Sequence, residues 1–181
     1  MSELRVFADD SPGEATIRSE DHEEIAALLS AQGIRFERWS AQAAVVAGDS
    51  TDKILAEYQV DIDRLIAADG YQTVDVVSMT ADHPDKAKLR QKFLEEHTHS
   101  EDEVRFFVAG QGLFSLHIDA SVYEVLCEKG DLISIPANTP HWFDMGQNPQ
   151  FVAIRLFNNP DGWVANYSGS GIATQFSRLE N

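Results

Sequence analysis

Cysteine is almost absent from this 181-residue sequence, which contains only Cys127. A single cysteine excludes a disulfide within the chain and is typical of proteins from a reducing compartment. Cys127 alternates with Tyr123 and Val125, a spacing that places all three on one face of a strand. We therefore predict that Cys127 is a small buried hydrophobic residue and not a nucleophile.

Basic residues are also scarce. Lysine and arginine together number 14, against 30 aspartate and glutamate residues, which gives a formal net charge of −16. A chain this acidic is repelled by nucleic acid backbones and by anionic membrane surfaces, so we expect neither as a partner. Repulsion between copies of the chain also favours a monomer.

Long hydrophobic runs are missing as well, and no segment is long enough to span a bilayer. The N-terminal residues MSELRVFADD lack the basic stretch followed by an apolar stretch that marks a secretory signal. We therefore expect a cytoplasmic protein.

The first 95 residues or so mix helical and strand patterns. Apolar residues at helical spacing predict helices over about 19–31, 51–68 and 84–94. Gly33 and Gly70 suit the ends of the first two helices, and Pro84 suits the first turn of the third. Short strands are predicted over about 35–39 and 74–79.

From His97 onward the hydrophobic period changes to two. Short apolar runs separated by turn residues predict strands over about 104–108, 113–118, 122–127, 132–135 and 151–157. Strands of this length and spacing favour an antiparallel sandwich or barrel, with the helices packed outside. We predict one mainly β domain over 1–181: an N-terminal elaboration over about 1–95, a barrel core over about 96–165, and a partly mobile tail over about 168–181.

Two histidines and a carboxylate lie close together in the segment that opens this β-rich half. Residues two apart in an extended chain point the same way, so His97 and His99 share a face, and a continuing strand would add Glu103 and Arg105. A turn with two prolines then leads to His141, a fourth ligand of suitable type. Nitrogen and oxygen donors of this kind suit first-row divalent metals, so we predict a metal site.

The spacing of these residues resembles the two motifs of the cupin superfamily. The first motif, H-x-H-x3-E-x6-G, stands at His97, His99, Glu103 and Gly110. The second, G-x5-P-x4-H, stands at Gly130, Pro136 and His141, with Asn138 and Met145 in place of the usual later glycine and asparagine. The resemblance implies a cupin barrel, a double-stranded β-helix or jelly roll. Asparagine tolerates a left-handed backbone, so the turn survives at Asn138.

Arg105 bears on what the metal would bind. A guanidinium that faces the same interior as a dication is unfavourable unless an anion lies near both, so Arg105 favours an anionic, oxygen-rich substrate. The alternative is that Glu96 or Asp102 neutralises Arg105 in a structural ion pair. By contrast, His117 alternates with Leu113 near a strand end, and we expect it to be a structural histidine.

Longer strings of sequence resemble the acireductone dioxygenase family. They are FLEEHTHSEDEVRFFVAGQGLFSLHI, VLCEKGDLISIPANTPHWFDMG and AIRLFNNPDGWVA, with RFERW and DVVS before them. The resemblance covers nearly the whole chain and is more specific than the cupin motifs.

Several expectations follow from this resemblance. The substrate would be 1,2-dihydroxy-5-(methylthio)pent-1-en-3-one, which the family oxidises with O2 in methionine salvage, and each chain would bind one Fe(II) or Ni(II). With Fe(II) the products would be formate and 4-methylthio-2-oxobutanoate; with Ni(II) they would be formate, carbon monoxide and 3-methylthiopropanoate.

The resemblance also assigns roles to residues in this sequence. It implies that His97, His99, Glu103 and His141 bind the metal and that Arg105 helps to form and hold the substrate dianion. It implies pocket-lining roles for Phe93, Phe143 and Trp163, and roles in acquiring metal for Glu96 and Asp102. For the three aromatic residues the alternative is ordinary core packing.

Two other functions remain open. A cupin isomerase or epimerase would use the metal only to polarise a carbonyl of a sugar derivative, and it would turn over without oxygen. A binding cupin would capture an anionic metabolite with the metal and Arg105 and leave it unchanged.

Overall fold

Two antiparallel sheets face each other and form the framework of the structure, a computed structural model that describes residues 1–159 and 161–181. The strands are β1 (Glu3–Ala8), β2 (Ile17–Ser19), β3 (Arg35–Arg38), β4 (Thr73–Met79), β5 (His97–Thr98), β6 (Glu103–Ala109), β7 (Gln111–Ile118), β8 (Ser121–Glu128), β9 (Asp131–Ile135), β10 (His141–Asp144), β11 (Phe151–Phe157) and β12 (Asn166–Tyr167). The helices are α1 (His22–Ser30), α2 (Thr51–Glu57), α3 (Gln59–Asp69) and α4 (Lys86–Leu94), followed by a 3-10 turn at Ile172–Thr174.

The larger sheet has the strand order β12-β5-β10-β7-β8-β1-β2, and the smaller has the order β3-β9-β6-β11-β4. This architecture confirms the predicted mainly β fold with helices outside it. None of the helices in the described ranges is long and apolar enough to cross a membrane.

Side chains of the smaller sheet alternate between two cores. On β6 and β11, Phe107 and Ala153 face the space between the sheets, where they join residues such as Phe114 and Phe143 of the larger sheet. Their neighbours, such as Phe106, belong to a second core on the outside. Strands that are buried on both faces explain why these segments read as nearly continuous apolar runs.

Helices α2 and α3 cover the outer face of the smaller sheet with Ile54, Ile62 and Leu65. The sequence predicts one helix over 51–68, and this is wrong at Tyr58, whose backbone (φ −111°, ψ 15°) lies outside helical values. The Tyr58 ring instead packs edge-on against Phe106, at 5.5 Å between centroids. Burying this ring against the sheet accompanies the break between the two helices.

Strand β1 was not predicted, although its Leu4 and Val6 alternate into the interior core. It pairs with β8 and so widens the larger sheet. A six-residue strand far from its partner in sequence gives a weak local signal.

The C-terminal tail packs on the outer face of the larger sheet. Phe176 is buried there against Phe7 and Trp142, at 5.8 Å between ring centroids in each case. The side chain of Asn181 hydrogen-bonds to the backbone of Asn148 and of Met145. The partial mobility expected for this tail stays a prediction.

The two motif glycines occupy turns that need them. Gly110 (φ +68°) joins β6 to β7, and a Cβ on it would lie 1.8 Å from the carbonyl oxygen of Gln150. Gly130 (φ +99°) makes the turn from β8 to β9. These turns align the strands that lead to the histidine cluster.

Candidate metal centre

Three histidines meet between the sheets at one end of the barrel. His97 begins β5, His99 follows it, and His141 begins β10, where it lies opposite His97 in the strand pairing. Potential ligand atoms of the three lie within 4.8 Å of one another, and none of the three residues is more than 6% exposed. The cluster is therefore a buried site with the composition of a metal centre.

Each ring is held by a backbone carbonyl. Nδ1 lies 2.7 Å from the Glu95 carbonyl oxygen in His97, 3.0 Å from that of Val164 in His99, and 2.8 Å from that of Thr139 in His141. Because a carbonyl only accepts, Nδ1 carries the proton, and the Nε2 lone pair is free to bind a metal ion. This arrangement is typical of metal-binding histidines. Burial, together with neighbouring His141, lowers the pKa of His97 to about 4, so its ring stays neutral near pH 7.

Glu103 brings a carboxylate to the same point. Its Oε2 lies 3.2 Å from His99 Nε2 and 3.4 Å from His141 Nε2. Glu103 Oε2 and His141 Nε2 are both buried and have no hydrogen-bond partner. Although burial alone would raise the pKa of Glu103, the charge of Arg105 helps to hold it well below its usual value. Ionised oxygen and neutral nitrogen atoms without donors would be satisfied by a divalent cation, so these residues fit a metal.

The continuing strand that would place Glu103 on the same face as His97 and His99 does not form. The chain crosses from the larger sheet, which contains β5, to the smaller sheet, which contains β6. His99 and Glu103 therefore approach each other across the interior. Their convergence depends on the turn between the two strands.

That turn is held against the proline-rich turn before His141. The Asp102 side chain accepts a hydrogen bond from the Ala137 amide at 2.8 Å, and the Asn138 amide donates to the His99 carbonyl at 2.8 Å. Asn138 has the left-handed backbone that its residue type permits, with φ +63°. Asp102 therefore joins the two turns that lead to the histidine cluster, and its role in acquiring metal stays a prediction.

Arg105 lies beside Glu103 and is only 3% exposed. Its Nε donates to Glu103 Oε1 at 2.5 Å, so the sequence-based alternative of a pair with Glu96 or Asp102 is wrong. The guanidinium carbon lies 4.9 Å from the Phe114 ring centroid and 4.7 Å from that of Phe143. Nη1 is buried without a partner. Arg105 thus has a donor left for a ligand.

A cavity of about 550 Å³ opens onto this cluster, and Phe93 and Trp163 line it together with His97, His99 and Arg105. Trp163 is 55% exposed at its mouth. Phe143 is only 1% exposed and lies behind the residues that line the cavity. It packs against Arg105, and its ring centroid lies 6.1 Å from that of Phe93. Of the three aromatic residues proposed for the pocket, two line it and one supports it.

Glu96 is buried next to His97 in sequence but is held by other groups. It accepts a hydrogen bond from Ser168 Oγ at 2.6 Å, and its other oxygen lies 2.9 Å from His117 Nδ1. His117 also lies 3.4 Å from Asp9. The structure therefore places His117 in a polar network beside the histidine cluster. A role for Glu96 in acquiring metal stays a prediction.

Several further residues line the cavity and were not predicted, among them His83, Arg155 and Tyr167. Arg155 could have been suspected, because it alternates with Ala153 and Phe157 in a buried strand and is the one charged residue of that run. Tyr167 belongs to the short β12, which pairs with β5. This pairing brings the Tyr167 ring centroid to 5.9 Å from that of His97. That contact between residues distant in sequence has no local signal.

Comparison with known proteins agrees with this geometry. The family model described as the ARD/ARD' family matches residues 3–165. The acireductone dioxygenase of Alcanivorax borkumensis is 65% identical over 98% of both chains, and that of Pseudomonas fluorescens is 59% identical over the full length of both. A solved acireductone dioxygenase from Bacillus anthracis, with a cadmium ion in its active centre, covers 92% of this chain and 98% of its own, with 31% identity and a TM-score of 0.78. The chain therefore belongs to the ARD/ARD' family, that of the acireductone dioxygenases, and has the cupin fold.

Proposed function

We propose that this protein cleaves the acireductone 1,2-dihydroxy-5-(methylthio)pent-1-en-3-one with O2 in methionine salvage. It would hold one Fe(II) or Ni(II) through His97, His99, Glu103 and His141. The iron-loaded protein would release formate and 4-methylthio-2-oxobutanoate. The nickel-loaded protein would release formate, carbon monoxide and 3-methylthiopropanoate. We expect it to act as a cytoplasmic monomer.

One observation carries this proposal: three buried atoms without hydrogen-bond partners, Glu103 Oε2, His141 Nε2 and Arg105 Nη1, belong to neighbouring side chains. Two of them are electron-pair donors and one is a proton donor. Leaving such groups unpaired in a protein interior costs about 1–3 kcal/mol each, so they indicate ligands that the fold itself does not supply. A cation and an anionic oxygen would satisfy both types.

The three histidines and Glu103 would hold a divalent metal, which would supply the Lewis acidity that lowers the pKa values of a bound enediol. Arg105 then stabilises the negative charge of the ionised substrate through Nη1, while its Nε stays bound to Glu103. Phe114 and Phe143 flank the guanidinium and limit its hydration, which strengthens that interaction.

The rest of the cavity suits an apolar substituent. Leu89 and Phe93 of α4 and Met79 of β4 line it, and Trp163 forms the outer wall. These side chains would bind the methylthio end of the substrate and exclude water from the reacting end. The Val164 carbonyl next to Trp163 also orients His99, which joins this wall directly to the metal ligands.

The test uses protein that has been stripped of metal and then reloaded anaerobically with Fe(II) or Ni(II). On addition of O2, the loaded protein should consume oxygen and bleach acireductone, and only the nickel form should release carbon monoxide. The His99→Ala variant should lose both bound metal and turnover.

Two outcomes would contradict the proposal. Full activity in metal-free protein would remove the role of the metal site. Conversion of a sugar substrate under strict anaerobiosis would instead support an isomerase or epimerase.

A further inference from the structure

A second arginine lies directly opposite Arg105 in the smaller sheet. Arg155 of β11 pairs with Arg105 of β6 on one side and with Asp75 of β4 on the other. Residues directly opposite in antiparallel strands project from the same face, so these three side chains form one row across the sheet. Both arginines line the same cavity.

Asp75 holds Arg155 in a two-bond pair. Arg155 Nε donates to Asp75 Oδ1 at 2.8 Å, and Nη2 donates to Oδ2 at 2.6 Å. The Nη1 group lies outside this pair. Arg155 is mostly buried, with 17% of its side chain exposed, whereas 42% of the Asp75 side chain is exposed. The pair therefore fixes the guanidinium at the wall of the cavity and leaves its Nη1 group outside the bonds to Asp75.

A purely structural pair does not explain this position. Like charges opposite each other in a sheet are destabilising, and here a buried arginine faces another arginine. Glu103 offsets the charge of Arg105 and Asp75 offsets that of Arg155, so a bound divalent cation would make the site positive. Two guanidinium groups and a divalent cation, opposed by the carboxylates of Glu103 and Asp75, leave a net charge of about +2 in a chain whose overall charge is −16.

We propose that Arg155, positioned by Asp75, is a specificity-determining residue that makes the cavity select a doubly negative chelating ligand over a singly negative one. This inference rests on the function proposed above for the identity of the substrate, an enediol that loses two protons. A dianion cancels the excess charge of the site, whereas a monoanion leaves half of it. Arg105 contacts the ligand beside the metal, and Arg155 contributes the second positive charge from the adjacent strand.

The test compares two small chelating probes of similar shape, oxalate with two charges and oxamate with one. Their affinities for nickel-loaded protein are measured by anaerobic calorimetry, and the metal content is checked afterwards. Arg155→Met should weaken oxalate binding by about 10- to 100-fold, the loss expected for one charge-assisted hydrogen bond. Oxamate binding should weaken much less, so the preference for oxalate should narrow about tenfold. Arg155→Lys should restore part of it.

Arg90→Met is the matched control. Arg90 forms the same two-bond arrangement with Asp144, at 2.7 and 2.9 Å, but does not line the cavity. It should leave the oxalate-to-oxamate ratio unchanged even if it lowers the melting temperature. In the reaction itself, Arg155→Met should raise KM about tenfold with a smaller change in kcat.

The two proposals fail separately. If the loaded wild-type protein does not oxidise acireductone, the proposed function is wrong, and the probe comparison still tests Arg155. If Arg155→Met retains metal and the wild-type preference for oxalate, the inference about Arg155 is overturned whatever the enzyme oxidises. If Arg155→Met does not fold, Arg155→Gln decides, because glutamine also removes the charge but can still hydrogen-bond to Asp75: an unchanged preference for oxalate together with an unchanged KM would overturn the inference.

Discussion

Glu103 and Asp144 are two carboxylates with the same burial and different surroundings. Each is 1% exposed and each is paired with an arginine. Asp144 accepts two bonds from Arg90, one from the Gly146 amide and one from the Leu179 amide. Glu103 accepts from Arg105 through Oε1 alone, and its Oε2 has no donor.

The difference separates a structural carboxylate from a binding one. Asp144 is satisfied within the protein, and it ties α4 and the C-terminal tail to β10. Glu103 is satisfied only when something else binds. A buried carboxylate with one oxygen unpaired destabilises the ligand-free fold, so the metal end of the barrel is less stable without its ligands than the region around Asp144.

The largest expected effect is on metal binding by Glu103→Gln. The substitution keeps the size of the side chain but removes its negative charge. Loss of a residue that only hydrogen-bonds to a metal ligand lowers metal affinity roughly 10- to 100-fold, and loss of the ligand charge itself should lower it further. Turnover should fall with the bound metal. Metal analysis after dialysis, together with oxygen consumption, measures both.

Asp144→Asn is the control for this change, because it makes the same chemical replacement at a carboxylate outside the site. It should retain metal and activity in the folded protein. Loss of metal from Asp144→Asn and retention by Glu103→Gln would reverse the proposed distinction.

The second effect is on folding stability at Asp144. Asp144→Ala removes the acceptor of four hydrogen bonds and leaves Arg90 without its partner, so the free energy of unfolding should fall by about 3 kcal/mol. Urea unfolding of the metal-loaded protein measures this. A change below about 0.5 kcal/mol would mean that the tail and α4 are held by apolar packing alone.

The third effect is on stability after metal removal. A ligand that binds only the folded state at a hundredfold excess over its Kd stabilises that state by about 2.7 kcal/mol. Stripping the metal should therefore lower the melting temperature of the wild-type protein and of Asp144→Asn. Glu103→Gln should show little difference between stripped and reloaded samples. A similar rise in melting temperature on metal reloading in all three proteins would mean that the metal binds at another site.

The same contrast explains which parts of the site the sequence could reveal. The histidines and Glu103 follow a spacing set by short local segments, and Cys127, predicted to be buried, is fully buried in the interior core. The mainly β fold was also predictable, because residues two apart alternate in strands such as β7 and β8.

Partners distant in sequence were not predictable in the same way. The position of Arg155 opposite Arg105 depends on how β11 and β6 are aligned, 50 residues apart in sequence. The chain crosses between the two sheets after His99, where Asp102 accepts a hydrogen bond from Ala137, 35 residues away in sequence. A local pattern identifies residues of suitable chemistry, but strand register and turn contacts decide which of them meet.

The smallest expected effect on stability is that of Trp163→Ala. This variant should affect substrate binding without affecting folding. Trp163 is 55% exposed, so Trp163→Ala should change the free energy of unfolding by less than about 0.5 kcal/mol. Because Trp163 forms the outer wall of the cavity, KM for the acireductone should nevertheless rise. Phe143→Leu provides the opposite case, since this buried ring supports Arg105 and its loss should destabilise the fold. If Trp163→Ala left KM unchanged, the apolar end of the substrate would have to bind against Leu89 and Phe93 instead.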